Sequence, residues 1–256
     1  MIKTYVLDTS TLPDPADASH GPDACIDGLP AERMEKILRI RHPDARRQSL
    51  GAGLLLNKVL GTLAPGAEIT YGSYGKPLCA GIPFNLSHTK DAVILSIWDI
   101  KAAAFPADFP IGCDIEQIRP YKPGVARRFF TEAEYRSLEA VRDPQERAEL
   151  FCRYWTRKES VMKLTGLGMS LPMDLYDVRG SQAAADMAKT AAWYERGLKK
   201  GQVSAEYRQA AAILLNQTLF LQEYRYRNCC ITVCSFLNQF AAAYERMSFT
   251  ALPLLL

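Results

Sequence analysis

Residues 111–116 read Ile-Gly-Cys-Asp-Ile-Glu, and residues 155–163 read Trp-Thr-Arg-Lys-Glu-Ser-Val-Met-Lys. The first stretch predicts a β-strand. Because residues i and i+2 of a strand point to the same face, the carboxylates of Asp114 and Glu116 project together. Neighbouring carboxylates repel each other unless a cation neutralises them, and Mg²⁺ prefers carboxylate oxygens. The pattern leaves two interpretations open, a magnesium site and a solvated acidic strand face.

The second stretch belongs to a predicted helix over residues 144–165. Trp155, Glu159 and Lys163 lie at i, i+4 and i+8, which places them on one stripe of that helix. One interpretation is a surface Glu–Lys pair worth a few tenths of a kcal/mol. The other makes Glu159 a third metal ligand or a general base, and Lys163 a cation near a phosphate. The spacing alone leaves both open.

The composition is that of a globular protein. Of the 256 residues, 48% are hydrophobic and 23% are charged, which excludes a largely disordered chain. A formal net charge of +3 does not indicate a nucleic-acid partner. The chain shows no signal-peptide pattern and no run of about 18 apolar residues, so we expect a cytoplasmic protein without a membrane segment. Seven cysteines, an odd number, predict buried thiols rather than a disulfide framework.

The order of helices and strands indicates two similar halves. Two long helices, predicted over 43–60 and 144–165, each end near a glycine and are followed by strands. The proline-containing stretch 102–110 lies between them and is the candidate boundary. We therefore predict an α/β (α+β) fold made of an N-terminal half, 1–110, and a C-terminal half, 111–256.

Local patterns refine this outline. Gly51 and Gly53 lie inside the first long helix and predict close packing against another element. Thr131 followed three residues later by Glu134 predicts a capping box at a helix start. A charged helical stretch is expected at 182–200. Strands are expected at 69–71, 83–88, 92–98, 218–226 and 229–236.

Several basic and polar residues of the first half lie where they could meet phosphate. Arg47 lies in the first turn of a predicted helix, and Lys76 lies in a Gly-Lys-Pro turn. Ser87 and His88 lie at a strand start, and both side chains can donate to a phosphate oxygen. A structural histidine is the alternative for His88. A Ser–His hydrolase is not favoured, because adjacent residues do not form that geometry and no G-x-S-x-G motif is present.

Short motifs follow one another in a specific order along the chain. They are Arg47-Gln-Ser-Leu50, Tyr74-Gly-Lys-Pro77, Phe84-Asn-Leu-Ser-His88, Ile111-Gly-Cys-Asp-Ile-Glu116, Arg128-Phe-Phe-Thr131, Trp155-Thr-Arg-Lys-Glu-Ser160 with Lys163, and Gly166-Leu-Gly168. In this order and spacing they resemble the Sfp-type 4'-phosphopantetheinyl transferases. The resemblance covers residues 30–178, with weaker similarity at 218–236. It implies two pseudo-symmetric α/β halves with the active site in the cleft between them.

The resemblance also implies the reaction. Enzymes of this family move the 4'-phosphopantetheine group of coenzyme A to a serine of an acyl or peptidyl carrier protein and release adenosine 3',5'-bisphosphate. Mg²⁺ is the implied cofactor and coenzyme A the substrate. Asp114, Glu116 and Glu159 match the family's magnesium-binding acids, which hold the metal against the pyrophosphate.

The same resemblance assigns roles to further residues. Glu159 matches the residue that activates the serine hydroxyl, directly or through water, and Lys163 matches the lysine that stabilises the transferring phosphate. The implied catalytic residues are Glu159, Lys163 and His88. The implied coenzyme A contacts are Arg47, Lys76, Ser87, His88 and Lys163. Metal and cationic side chains at these positions offset charge at the breaking P–O bond.

Two other classes of function compete with this interpretation. One is a catalytically idle module that binds coenzyme A or a carrier protein. The other is a different magnesium-dependent phosphoryl or nucleotidyl enzyme, which is less favoured because no P-loop motif is present. We expect a monomer that binds neither nucleic acid nor membranes. Fatty-acid, polyketide and nonribosomal-peptide carriers all remain open as partners, and the stretch 180–216 has no assigned role.

Overall fold

The computed structural model of the chain describes residues 1–17, 29–72, 76–99, 109–201 and 203–248. The strands within these ranges are β1 (Ile2–Asp8), β2 (Ile69–Tyr71), β3 (Pro77–Cys79), β4 (Phe84–Thr89), β5 (Ala92–Trp98), β6 (Gly112–Gln117), β7 (Tyr176–Asp177), β8 (Gln182–Ala185), β9 (Leu219–Tyr226), β10 (Cys229–Ser235) and β11 (Glu245–Met247). The α-helices are α1 (Ala31–Leu38), α2 (Pro43–Leu63), α3 (Pro123–Phe129), α4 (Glu132–Ala140), α5 (Pro144–Thr165), α6 (Met187–Lys199) and α7 (Ala205–Asn216). The mixture of helices and strands confirms the predicted α+β class.

The two larger sheets contain the same arrangement of three strands, β1-β5-β4 in the first sheet and β6-β10-β9 in the second. The first runs β11-β1-β5-β4 and the second runs β6-β10-β9-β8-β7. The pairs β1–β5 and β5–β4 are antiparallel, as are β6–β10 and β10–β9. Helix α2 packs on the first sheet and α5 on the second. The topology therefore contains a repeated unit, in which a long helix covers three antiparallel strands.

The boundaries of the two predicted halves, 1–110 and 111–256, stay a prediction. Most of the candidate boundary at 102–110 lies outside the described residues. Strand β11 follows the second sheet in sequence but pairs with β1 of the first sheet, in parallel. The end of the described chain thus contributes to the first sheet.

Side-chain hydrogen bonds join the edge strand β4 of the first sheet to the edge strand β6 of the second. Asn85 Oδ1 accepts a hydrogen bond from the backbone N–H of Cys113 at 2.9 Å. The Cys113 thiol donates to the Asn85 carbonyl oxygen at 3.2 Å, and the Ser87 hydroxyl donates to Asp114 Oδ1 at 2.8 Å. All four residues are buried. This polar seam holds the strand of Ser87 beside the strand of Asp114.

Helix α5 lies directly on β6 because Gly112 has no side chain. A Cβ atom at Gly112 would lie 1.8 Å from the Ser160 carbonyl oxygen and 2.6 Å from the Leu164 nitrogen. The helix ends as the sequence predicts, at Gly166, whose φ of 77° is the left-handed conformation that favours glycine. The geometry fixes the height of α5 above the strand that carries the acids.

The predictions for Gly51, Gly53 and the capping box are confirmed. A Cβ at Gly51 would lie 2.7 Å from Thr9 Cγ2, and one at Gly53 would lie 3.0 Å from Leu29 Cδ1. Both glycines therefore permit close packing of α2. Thr131 and Glu134 form the complete reciprocal capping box at the start of α4.

Two helix predictions were wrong at their ends. Helix α2 continues past Gly61 to Leu63, because Leu63 and Ala64 pack against the apolar core of the first half and outweigh the low helix propensity of glycine. The stretch 182–200 is not one helix. Its first residues form β8, which pairs with β7 and β9. Helix α6 begins after Asp186, whose side chain caps the start of the helix.

A buried ion pair connects the capping box to α5. Glu134 lies 2.8 Å from the Lys158 ammonium and also accepts hydrogen bonds from the backbone N–H groups of Thr131 and Val178, each at 2.7 Å. The Lys158 ammonium donates in addition to the Met173 carbonyl oxygen at 2.7 Å. Both charged side chains are completely buried. Burial lowers the pKa of Lys158, and the Glu134 carboxylate opposes that shift.

The cysteines agree with the predicted buried thiols. The six in the described part of the chain are free and buried, whereas Cys25 lies outside it. Among the helices of the described ranges, none combines the length and the apolar character that a membrane crossing requires.

We predict that Gly112→Ala lowers the free energy of unfolding by about 3 kcal/mol, because the added methyl group overlaps backbone atoms of α5 that do not move independently. Urea denaturation measures the change. Gly124→Ala is the matched control, since a Cβ there meets no atom within 4 Å and the residue lies in α3. Equal unfolding midpoints for the two variants would contradict the close contact.

Candidate active site

Strand β6 and helix α5 bring the predicted acids and the predicted lysine to the polar seam. The Lys163 ammonium lies 2.7 Å from Asp114 Oδ1 and donates to Ser87 Oγ at 2.7 Å. With the Ser87–Asp114 hydrogen bond, the three side chains form a closed triangle. Glu116, two residues after Asp114, and Glu159, one turn before Lys163, are both half-buried. The structure therefore joins Ser87 of the first sheet to the charged groups of the second.

Two acids of this cluster, Glu116 and Glu159, have a raised pKa. Burial raises the pKa of Glu159 to about 7, and the negative charge of Asp114 adds to the shift while Lys163 opposes it. Burial and Asp114 also raise the pKa of Glu116. Burial lowers the pKa of Lys163, but Asp114, Cys113 and Glu159 together raise it by more, so the net shift is upward. The cluster thus carries more negative charge than Lys163 neutralises.

The residues present fit Mg²⁺ in their chemistry. Asp114 Oδ2 is buried and has no hydrogen-bond partner among the described residues, so one carboxylate oxygen is free to coordinate. Carboxylate oxygens are the ligands that Mg²⁺ prefers. However, in the described ranges no three or more His, Cys, Asp or Glu side chains converge in an arrangement that could hold a metal ion. The ligand roles of Asp114, Glu116 and Glu159 therefore stay predictions.

His88 and Arg47 lie on different elements, β4 and α2. His88 is exposed on β4, and its pKa is lowered because nearby protein atoms displace part of its water and because Lys163 is close by. The lowered pKa favours the neutral imidazole, which has one N–H hydrogen-bond donor and one acceptor nitrogen. Arg47 is half-buried in the first turn of α2, where its guanidinium donates to Asp44. Their phosphate contacts stay predictions.

Lys76 has an environment that the sequence did not indicate. Its ammonium donates to the backbone carbonyl oxygens of Lys163 at 2.7 Å, Ile111 at 3.1 Å and Leu164 at 3.3 Å. An ammonium has three N–H donors, so all three are used within the protein. The predicted phosphate contact of Lys76 remains untested, but it would require the loss of one of these hydrogen bonds.

A cavity of about 520 Å³ lies between α1, α2 and the β2–β3 hairpin. Its walls are mostly apolar and include Leu86, which lies on the same face of β4 as His88. Arg33 also lines it, and the Arg33 Nε atom is buried with no hydrogen-bond partner in the described ranges. Ile37, buried one helical turn later, is the signal that Arg33 faces inward.

A second cavity of about 250 Å³ lies beside Glu116. Phe151 and Trp155 of α5 form an apolar wall, and the exposed cations Arg119 and Lys122 lie at its rim. Trp155 packs edge-on against Phe129, with ring centroids 6.0 Å apart. The helical stripe that carries Glu159 therefore continues into an aromatic surface.

Comparison with known proteins identifies the class to which this fold and site belong. The family model described as the 4'-phosphopantetheinyl transferase superfamily matches residues 110–212, which include β6 and α5. This match extends beyond residue 178, where the sequence resemblance was expected to end. The chain belongs to the 4'-phosphopantetheinyl transferase family, and it is an enzyme of this type.

Individual relatives place it among the Sfp-type members. A 4'-phosphopantetheinyl transferase of Bacillus subtilis is 34% identical over 164 residues, which cover 61% of this chain and 69% of the relative. The 4'-phosphopantetheinyl transferase Sfp of Bacillus subtilis strain 168 is 34% identical over 155 residues, 58% of this chain and 65% of the relative. AcpT of Salmonella typhimurium is 39% identical over 145 residues, 54% and 69% of the two chains.

We predict that Glu159→Gln stabilises the protein in a pH-dependent way in buffer containing EDTA. The pKa of Glu159 is raised in the folded state, so the native protein holds this proton more tightly than the unfolded chain. The wild type therefore loses stability between about pH 4.5 and pH 7, whereas the variant does not. Relative to the wild type, the free energy of unfolding of Glu159→Gln should rise by roughly 2 kcal/mol between pH 4 and pH 8.

Urea denaturation at the two pH values measures this difference. Glu195→Gln, at an exposed position of α6, is the control. The same difference at pH 4 and pH 8 for Glu159→Gln would show that the carboxyl group does not lie among like charges.

Proposed function

We propose that the protein transfers the 4'-phosphopantetheine group of coenzyme A to a serine hydroxyl of an acyl or peptidyl carrier protein, with Mg²⁺ and with release of adenosine 3',5'-bisphosphate. The observation that carries the proposal is the hydrogen-bonded triangle of Ser87, Asp114 and Lys163, with Glu159 beside it on α5. Lys163 and Ser87 supply hydrogen-bond donors for phosphate oxygens. Asp114 and Glu159 supply carboxylates that could hold a metal ion or accept a proton. Family membership supports the same reaction.

The chain's own residues can perform the proton and charge steps. Glu159 has a pKa raised to about 7 without a bound cation, and a cation beside it would favour the carboxylate form that accepts the proton of the serine hydroxyl. The Lys163 ammonium can donate to the phosphate oxygen on which charge develops. Asp114, Glu116 and Glu159 would hold Mg²⁺, which when bound neutralises pyrophosphate charge and lowers the repulsion among the three carboxylates.

The 520 Å³ cavity is our proposed position for the adenosine part of coenzyme A. Its wall includes Leu86 of β4, and His88 lies on the same face of that strand two residues further on, so phosphates attached to a nucleotide there could extend towards His88. Apolar walls suit a purine base. The unpartnered Nε atom of Arg33 supplies a donor for an anionic or carbonyl-type acceptor in an otherwise apolar space.

The 250 Å³ cavity is our proposed approach for the carrier protein. It lies beside Glu116, its aromatic wall leads along α5 to Glu159, and Arg119 and Lys122 give its rim a positive charge. A partner with acidic and apolar side chains would complement this surface. We further propose that the enzyme acts as a cytoplasmic monomer, and the choice among fatty-acid, polyketide and nonribosomal-peptide carriers is left to the assay.

The proposed reaction is tested by incubating the protein with coenzyme A, Mg²⁺ and a panel of apo carrier proteins. We expect the carrier to gain the mass of one phosphopantetheine group in mass spectrometry. Glu159→Ala should lower the rate by about 100-fold or more, because it removes the proposed general base. Glu195→Ala is the control on an exposed helix face.

Two outcomes would contradict the proposal. Absence of a mass gain on every carrier type, with coenzyme A still bound tightly, would favour the alternative of an idle binding module. An unchanged rate in Glu159→Ala would remove that residue from the catalytic role.

We predict that Arg33→Ala raises KM for coenzyme A about tenfold while kcat changes little. A lost hydrogen bond to a charged group costs about 1.5 kcal/mol, which corresponds to that factor. Arg39→Ala is the matched control, because Arg39 belongs to the same helix region but is exposed and pairs with Glu35. Steady-state kinetics with varied coenzyme A measures both constants. If the two variants behave alike, the cavity beside Arg33 does not hold the nucleotide.

A further inference from the structure

Lys76 connects elements that are far apart in sequence. It directly precedes Pro77, the first residue of β3, and its ammonium reaches the carboxyl end of α5 and the start of β6. The side chain also passes Gly166, because a Cβ on that glycine would lie 3.9 Å from Lys76 Cδ. The side chain is therefore directed into the protein and ends in a cage of three carbonyl oxygens.

The cage consists of groups that need a donor. The last four carbonyl groups of a helix have no intrahelical partner, and the Lys163 and Leu164 carbonyl groups belong to that set in α5. A cation at a helix carboxyl end is also favoured by the helix dipole. The Ile111 carbonyl group directly precedes β6. One ammonium thus joins the end of the helix to the start of the strand.

The joined segments carry two corners of the hydrogen-bonded triangle, Lys163 and Asp114. Lys76 holds the backbone of Lys163, whose own ammonium bonds Asp114 and Ser87. It also holds Ile111, which directly precedes β6 and lies three residues before Asp114. A shift of either segment would change the distance between the Lys163 ammonium and the Asp114 carboxylate, which is 2.7 Å.

We propose that Lys76 is a positioning residue, which fixes Lys163 against Asp114 through the carbonyl cage rather than by contacting a phosphate of the substrate. The inference rests on the proposed function for its kinetic consequence, whereas the structural consequence is independent of it. Burial lowers the pKa of Lys76 to about 8, with the thiols of Cys113 and Cys234 opposing the shift, so the ammonium is still protonated at pH 7.

The two roles of Lys76 predict different kinetics. A positioning role predicts that Lys76→Met lowers kcat at least tenfold and leaves KM for coenzyme A within about twofold. It also predicts that Lys76→Arg does not restore kcat, because a planar guanidinium does not reproduce the three donor directions of an ammonium. A phosphate contact predicts the opposite, a raised KM in Lys76→Met that Lys76→Arg largely restores. Lys199→Met, an exposed lysine in the last turn of α6, is the control.

Hydrogen exchange gives a readout that does not depend on transfer. With Lys76→Gln, which retains amide donors and is less disruptive than methionine, we expect faster exchange of the Cys113 amide and of amides in the last turn of α5 than in the wild type. The expected change is at least tenfold at these amides and absent at α6. Unchanged exchange at both segments would overturn the positioning role, even if no carrier protein were modified and the proposed function itself had failed.

Discussion

The close contact between Gly112 and the backbone of α5 is the constraint on which the site depends. With any side chain at Gly112, the helix could not lie at its present height above β6, because the contact is with backbone atoms rather than flexible side chains. That height allows the Lys163 ammonium to reach Asp114 from the neighbouring element. The contact itself carries no chemistry, yet it sets the distances on which the chemistry depends.

Burying the polar seam between the sheets costs desolvation free energy that an apolar seam would not cost. Asn85, Ser87 and Asp114 are buried polar residues, and each needs a partner to offset its desolvation. Asn85 and Ser87 have such partners across the seam, whereas Asp114 Oδ2 has none among the described residues. An unpartnered carboxylate oxygen is what the proposed cation site would require. The seam thus combines orientation of the two sheets with an acid that is ready to coordinate.

Much of the second half could be predicted from local sequence, because strong local signals define it. Thr131 and Glu134 identify a helix start, Gly166 identifies a helix end, and the alternation of Asp114 and Glu116 identifies a strand face. The remaining features depend on contacts between distant residues. Strand β8 forms because its neighbours pair with it, and nothing in its alanine-rich sequence distinguishes it from the helix that follows.

The lysines of the site show why charge in a sequence does not by itself locate a phosphate. Lys76, Lys158 and Lys163 all lie on or against α5. Their partners are backbone carbonyl groups for Lys76, the buried Glu134 for Lys158, and Asp114 for Lys163. The side chain of Lys158 is completely buried, whereas that of Lys163 keeps 29% of its surface exposed. An ammonium that binds substrate must retain access to it and must exchange one partner for another at small cost. Of these three, Lys163 meets both conditions, because its partners are side chains that can move, whereas the carbonyl cage of Lys76 is fixed by the helix end.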